Sequence, residues 1–88
     1  MLTVKQKDKI IREYQYHEKD TGSAAVQAGI LTEEIEKLTL HLKKHSKDNH
    51  SRRGLLKMVA KRKSLLDYLS KNDEKKYNST IRKLGLKK

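Results

Sequence analysis

The sequence predicts an all-α fold of four helices, the second and third forming a long antiparallel hairpin. Three observations lead there. Pro is absent, so no helix interior loses an N–H donor or meets a ring clash. Apolar residues recur at helical rather than alternating spacing. The β-branched residues are scattered and never alternate over a useful length.

The first helix opens at Thr3-Val4-Lys5-Gln6, which fits a capping box with Thr at the N-cap and Gln three residues on. It is expected to run through about Tyr16, with Val4, Ile10, Ile11 and Tyr14 as a modest apolar stripe. This is the weakest apolar face of the four, so the first helix is expected to be the most mobile. Lys19-Asp20-Thr21-Gly22-Ser23 is turn-forming, Gly22 is free to take a positive φ, and Ser23 is a good N-cap.

The second helix is expected over residues 24–44. Val26, Ile30, Leu31, Ile35, Leu38 and Leu42 lie on one 3.6-period face. Gly29 sits in its interior, where Gly costs roughly 1 kcal/mol against Ala. Close approach of another helix or of RNA would account for it. Residues 44–50 form a short loop, with Asp48 or Asn49 able to cap the third helix. That helix is expected from about 50 to 72, with Leu55, Leu56, Val59, Leu66 and Leu69 as its apolar face. Asn72-Asp73-Glu74 reads as a break and a new start, and acidic groups suit the first turn of a helix. Tyr77, Ile81 and Leu84 are the apolar residues of the fourth helix, which Gly85 ends as a C′ stop. Two long helices joined by a short loop pack antiparallel, and the fourth is expected to close one end.

Residues 1–88 are one domain's worth of chain. With 34% hydrophobic and 38% charged residues it can build a thin core between helices, but not a deep pocket. The net charge is +11, which points to a polyanionic partner, nucleic acid first. The excess is lopsided. Residues 1–48 carry 9 Lys+Arg and 8 Asp+Glu, whereas residues 49–88 carry 13 and 3, so phosphate contacts are expected mainly from the C-terminal half. Cys is absent, which excludes disulfides and thiolate metal sites. The first residues lead into charges rather than an apolar stretch, and no run of about 18 apolar residues occurs. A cytoplasmic location and no membrane partner are the resulting expectations. No cofactor is implied.

Short polar groups concentrate between His41 and Arg53, at the tip of the hairpin: His41, His45, Asp48, Asn49, His50, Ser51, Arg52 and Arg53. Three readings compete. His41 and His45 stand at i, i+4 and, with Asp48 and His50, could hold a metal. The surrounding Lys43, Lys44, Lys47, Arg52 and Arg53 disfavour a divalent cation. Alternatively Asp48 only caps the third helix, helped by Ser51, and the histidines lie on a solvated basic surface. In the third reading, Lys and Arg fix register on an RNA backbone while His41, Asp48 and Ser51 discriminate in the shallow minor groove. Tyr68 and Lys71 of the third helix, and Gln27 of the second, have equally plain readings as half-buried or solvated helical residues.

The run Lys47-Asp48-Asn49-His50-Ser51-Arg52-Arg53-Gly54-Leu55-Leu56, followed by Leu65-Leu66-Asp67-Tyr68-Leu69, resembles the family of the fifteenth protein of the bacterial small ribosomal subunit. Asp20-Thr21-Gly22-Ser23 with Val26-Gln27, and the ending Ile81-Arg82-Lys83-Leu84-Gly85-Leu86, resemble it too. The resemblance covers essentially the whole chain. It implies a single four-helix RNA-binding domain that is a monomer when free and is a structural constituent of the small subunit. The implied partners are the central domain of 16S rRNA, neighbouring small-subunit proteins, large-subunit rRNA at an intersubunit bridge and, in some bacteria, its own messenger.

By matching positions, the resemblance assigns Thr21, Gly22, Gln27, Tyr68 and Lys71 to a three-way RNA junction. It assigns His41, Asp48 and Ser51, with His45 close by, to a minor-groove site. Arg52, Arg53, Lys57, Lys61, Arg62 and Lys63 are the candidate phosphate contacts. The chain departs from the family pattern at Gly29, Glu34, Asn49 and Lys71; a Lys at the last position loses the bidentate fork of Arg.

Three other functions fit less well. A nonspecific DNA-binding protein is allowed by charge and helicity. A membrane-surface protein is disfavoured by the absence of Trp and Phe and by the matched apolar faces of the second and third helices. An enzyme would need a nucleophile–base pair, a phosphate-binding glycine loop or a metal signature, and the sequence presents none of these.

Overall fold

The structure is a computed structural model that describes residues 2–20 and 22–85. Four helices follow one another: α1 Val4–Tyr14, α2 Ala24–Lys44, α3 Asn49–Asn72 and α4 Glu74–Leu84. Each begins on a side-chain cap. Thr3 and Gln6 form the reciprocal capping box of α1. Ser23 caps α2 through the Val26 amide, Asp48 caps α3 through the Ser51 amide, and Asp73 caps α4 through the Lys76 amide.

Helices α2 and α3 lie side by side as an antiparallel hairpin. Leu38 packs against Gly54, and Arg62 reaches Thr32, so the pairing steps back along α2 as it advances along α3. The centre of the molecule is a cluster of Ile10 and Tyr14 from α1, Ala25 and Val26 from α2, and Leu69 from α3. Tyr77 and Leu84 of α4 pack against it, which closes the end of the hairpin opposite the tip.

Four details depart from the sequence reading. Helix α1 stops at Tyr14, two residues short of Tyr16, because Gln15 is extended (ψ 152°). The Asp20 carboxylate then takes the Tyr16 N–H at 2.9 Å, which draws the chain into the following turn. Val4 is 75% exposed and has no part in the apolar face. On α3, Leu56 and Val59 are exposed, and Met58, Arg62 and Leu65 take their places beside Leu55, Leu66 and Leu69. One residue turns the chain about 100° round a helix, so Leu56 cannot share the face that Leu55 occupies. Finally, Gly85 is the glycine with left-handed backbone among the described residues, at φ 72°. Gly22 is held instead by hydrogen bonds from its own and the Ser23 amide to Asp20.

Gly29 has a clear cause. A Cβ placed there would stand 2.5 Å from Cδ2 and 2.8 Å from Cε2 of Tyr14, and 3.0 Å from Ile10. It is the approach of α1, not of RNA, that requires glycine at this position.

Candidate nucleic-acid interface

The tip of the hairpin is organised by one carboxylate. Asp48 Oδ1 accepts the Ser51 amide at 3.0 Å. Its Oδ2 accepts the Ser51 hydroxyl at 2.6 Å and meets His41 Nε2 at 2.9 Å. The Ser51 hydroxyl, the Ser51 amide and then His41 hold Asp48 well below the ordinary carboxylate range. The His41 and His45 rings stand 4.7 Å apart at 33°. His41, Asp48 and Ser51 are thus gathered from the last turn of α2, the loop and the first turn of α3, with His45 beside them. His50 and Asn49 are exposed. Among the described residues no group of three or more His, Cys, Asp or Glu is placed to hold a metal.

The basic side chains divide in two. Arg52 donates to Ser46 O at 2.6 Å and to Asn49 Oδ1 at 3.4 Å, so it fastens the loop. Arg62 turns toward α2 and donates to Thr32 Oγ1 at 3.2 Å. Lys63 pairs with Asp67 at 3.2 Å on the open surface. Arg53, Lys57 and Lys61 are exposed, at steps of four along α3. The same stripe continues through Tyr68, 59% exposed, to Lys71. Lys71 follows Arg53 by 18 residues, about five turns and roughly 27 Å of helix, so both point from the same side.

At the far end of that stripe, Gln27 donates to Gly22 O at 2.7 Å; Thr21 lies outside the described residues. The turn between α1 and α2 is built on Asp20, which is buried at 8% exposure. Burial would raise its pKa, but hydrogen bonds from Tyr16, Ser23 and Gly22 prevail and lower it to about 2. Tyr16, 48% exposed, donates to Asp73 Oδ2 at 3.0 Å, and the Lys76 ammonium lies 4.5 Å from its ring centroid. Burial and the neighbouring Asp73 push the Tyr16 hydroxyl up to about 12. Sequence reasoning missed this group. The turn signal at Asp20 was legible, but nothing local ties Tyr16 to a carboxylate 57 residues away.

Three carboxylates surround Tyr14. Burial first, and then Glu13, Glu33 and Glu36, push the Tyr14 hydroxyl up to about 12. The fold thus gathers Glu13, Glu33 and Glu36 about Tyr14, while a cationic α3 stripe runs from the tip cluster to Tyr68 and Lys71. No helix among the described residues is long and apolar enough to cross a membrane.

A family described as ribosomal protein S15 matches residues 7–87 of the chain. The chain belongs to the ribosomal protein S15 family. Its relatives include the small ribosomal subunit protein uS15 of Carboxydothermus hydrogenoformans, 61% identical over 99% of this chain and 98% of the relative. Proteins of the same description from Syntrophomonas wolfei and Oceanobacillus iheyensis are 58% and 55% identical over the same shares. The S15 match takes in both helices of the hairpin, its tip and the turn around Asp20, so every candidate site residue falls inside the family's extent. This S15 family is structural, not enzymatic.

Proposed function

We propose that this chain, a structural constituent of the small ribosomal subunit and a partner of its RNA and proteins, binds the central domain of 16S rRNA at two places on one side of the molecule. The observation that carries this reading is the exposed stripe Arg53, Lys57, Lys61, Tyr68 and Lys71, which joins the His41–Asp48–Ser51 tip to the turn at Gly22 and Gln27. The tip reads a minor groove, where short side chains can reach base edges and 2′-hydroxyls. The other end meets a three-way junction through Gly22, Gln27, Tyr68 and Lys71, and the family resemblance assigns Thr21 to the same contact. The cations between the two sites follow the backbone and set register. Arg52 and Arg62 contribute through the loop and the hairpin they brace. Binding at two points about 27 Å apart fixes the angle between RNA arms, which suits an early assembly role that lets other small-subunit proteins join. Contact with large-subunit rRNA at the subunit interface, and repression of its own messenger through a similar RNA shape, belong to the same reading.

Footprinting the protein on small-subunit rRNA tests it. The expected result is protection confined to a central-domain junction and a helical segment a few turns away. Protection scattered over the RNA, or equal competition by duplex DNA, would replace this reading with nonspecific polyanion binding.

A further inference from the structure

We infer that Tyr16 is a second aromatic contact at the end of the molecule opposite the tip, paired with Tyr68 to hold an unstacked RNA base. The inference rests on the reading of that end as a junction-binding surface. The chain has four tyrosines and no Trp or Phe. Tyr14 is buried and Tyr77 packs against the core, so the fold itself uses both rings. Tyr16 and Tyr68 are the two left in water, 48% and 59% exposed.

The Tyr16 ring is held from three directions. Its backbone N–H goes to Asp20 at 2.9 Å, the carboxylate that also takes the Gly22 and Ser23 amides. Its hydroxyl donates to Asp73 Oδ2 at 3.0 Å. The Lys76 ammonium lies over one face, 4.5 Å from the centroid, and is itself tied to Gln15 O at 3.3 Å. Asp73 follows Tyr68 by five residues, and the Tyr68 hydroxyl is close enough to help push that of Tyr16 up. Two exposed rings therefore stand together, one leading into the turn that carries Gly22 and one on the stripe that carries Lys71.

With Lys76 on one face of Tyr16, the other face is left for a ligand. A flat ring with a free face matches a nucleobase, because stacking draws on the π surface that every base has. Bases within a continuous helix already stack on their neighbours, whereas a junction leaves some unstacked and open to aromatic side chains. A ring already fixed in place loses little freedom on binding. Lys71, exposed three residues from Tyr68 on the same helix, supplies a cation for the backbone of the same nucleotide. The ligand is thus an unpaired nucleotide, held by its face rather than read at its edge.

Two measurements test this on the full chain, with a central-domain 16S rRNA transcript as the probe. The first is affinity. Tyr16→Leu keeps apolar bulk without the π face, and should weaken binding about tenfold, the scale of one stacked base, with the salt slope unchanged. Tyr16→Phe gives up the bond to Asp73 but keeps the ring, and should restore most of that loss. A purely structural tie between the end of α1 and α4 predicts instead that both variants, which lose the same hydroxyl bond, weaken binding alike. The second is the fluorescence of Tyr16→Trp, which gives the chain its single indole. Its emission should be quenched by the transcript and not by duplex DNA, whose bases are stacked on one another.

Wild-type affinity in Tyr16→Leu, equal losses in Tyr16→Leu and Tyr16→Phe, or an indole emission that the transcript leaves unchanged, overturns the stacking role. If Tyr68→Leu and Lys71→Ala themselves bind as wild type, the reading of this end as an RNA surface fails instead. Because the fluorescence is read on a variant that keeps a ring in place, poor folding of Tyr16→Leu would not remove the test.

Discussion

Gly29 shows most plainly how one residue serves the fold. Alanine there would gain roughly 1 kcal/mol of helix propensity. Its methyl would enter the Tyr14 ring at 2.5 Å and press on Ile10 at 3.0 Å, both in the buried core. Overpacking of this kind costs about 1–3 kcal/mol. Gly29→Ala is therefore expected to lower the midpoint of urea denaturation, and a rise would show that α1 does not sit where the structure places it. Asp20 makes a second residue-scale prediction. Its folded pKa, about 2, lies below its ordinary value of 3.8. The carboxylate thus stabilises the folded state above pH 4, and that contribution fades as pH falls from about 4 to 2. Denaturation followed across this window should show a steeper loss for wild type than for Asp20→Asn; parallel curves would contradict the depressed pKa. Both residues were visible in the sequence, one as an unexplained interior glycine and one as a turn former. What they touch was not, because Tyr14 and the Tyr16 amide reach them only through the packing of α1 and the fold of the turn.

At the level of elements, the caps were the most legible features. Thr3, Ser23, Asp48, Asp73 and Gly85 each act through a backbone group within a few residues, so local sequence suffices to place them. The α3 stripe was harder. Leu, Val and Met are spread all round that helix, and apolar character favoured Leu56 and Val59 over Met58 and Arg62. Arg62 buries its stem beside α2 while its guanidinium finds Thr32, a choice set by the partner helix rather than by hydrophobicity. Helix α1 has 11 residues and buries Ile10 and Tyr14. Beyond that, it is held by α4: Lys83 donates to Glu13 O at 2.6 Å and Lys76 to Gln15 O at 3.3 Å, placing cations at its C-terminal end. An 11-residue helix is marginal on its own. Amide hydrogen exchange is expected to open α1 at lower free energy than the facing turns of α2 and α3. Equal protection in all three helices would show that α1 is an integral part of the cooperative core.

For the whole molecule, the sequence foretold charge asymmetry but assigned it to halves of the chain rather than to sides of the fold. The fold sets Glu33 and Glu36 of α2 near Tyr14 of α1 and leaves Arg53, Lys57 and Lys61 exposed on α3. α1 packs on α2, and the cationic stripe of α3 is left exposed. The account predicts a division of labour within the basic side. Lysines of the stripe supply affinity to any nucleic acid, and the tip supplies choice. The most direct measurement is the salt dependence of binding to the central-domain transcript and to duplex DNA for wild type, His41→Ala, Lys57→Ala and Lys61→Ala. Each lysine variant should reduce the salt slope by about 1 and weaken both ligands alike. His41→Ala should cost about 1–3 kcal/mol on the transcript, leave the slope unchanged and leave DNA binding as it was. Loss of transcript preference in the lysine variants, with His41→Ala indistinguishable from wild type, would contradict the account.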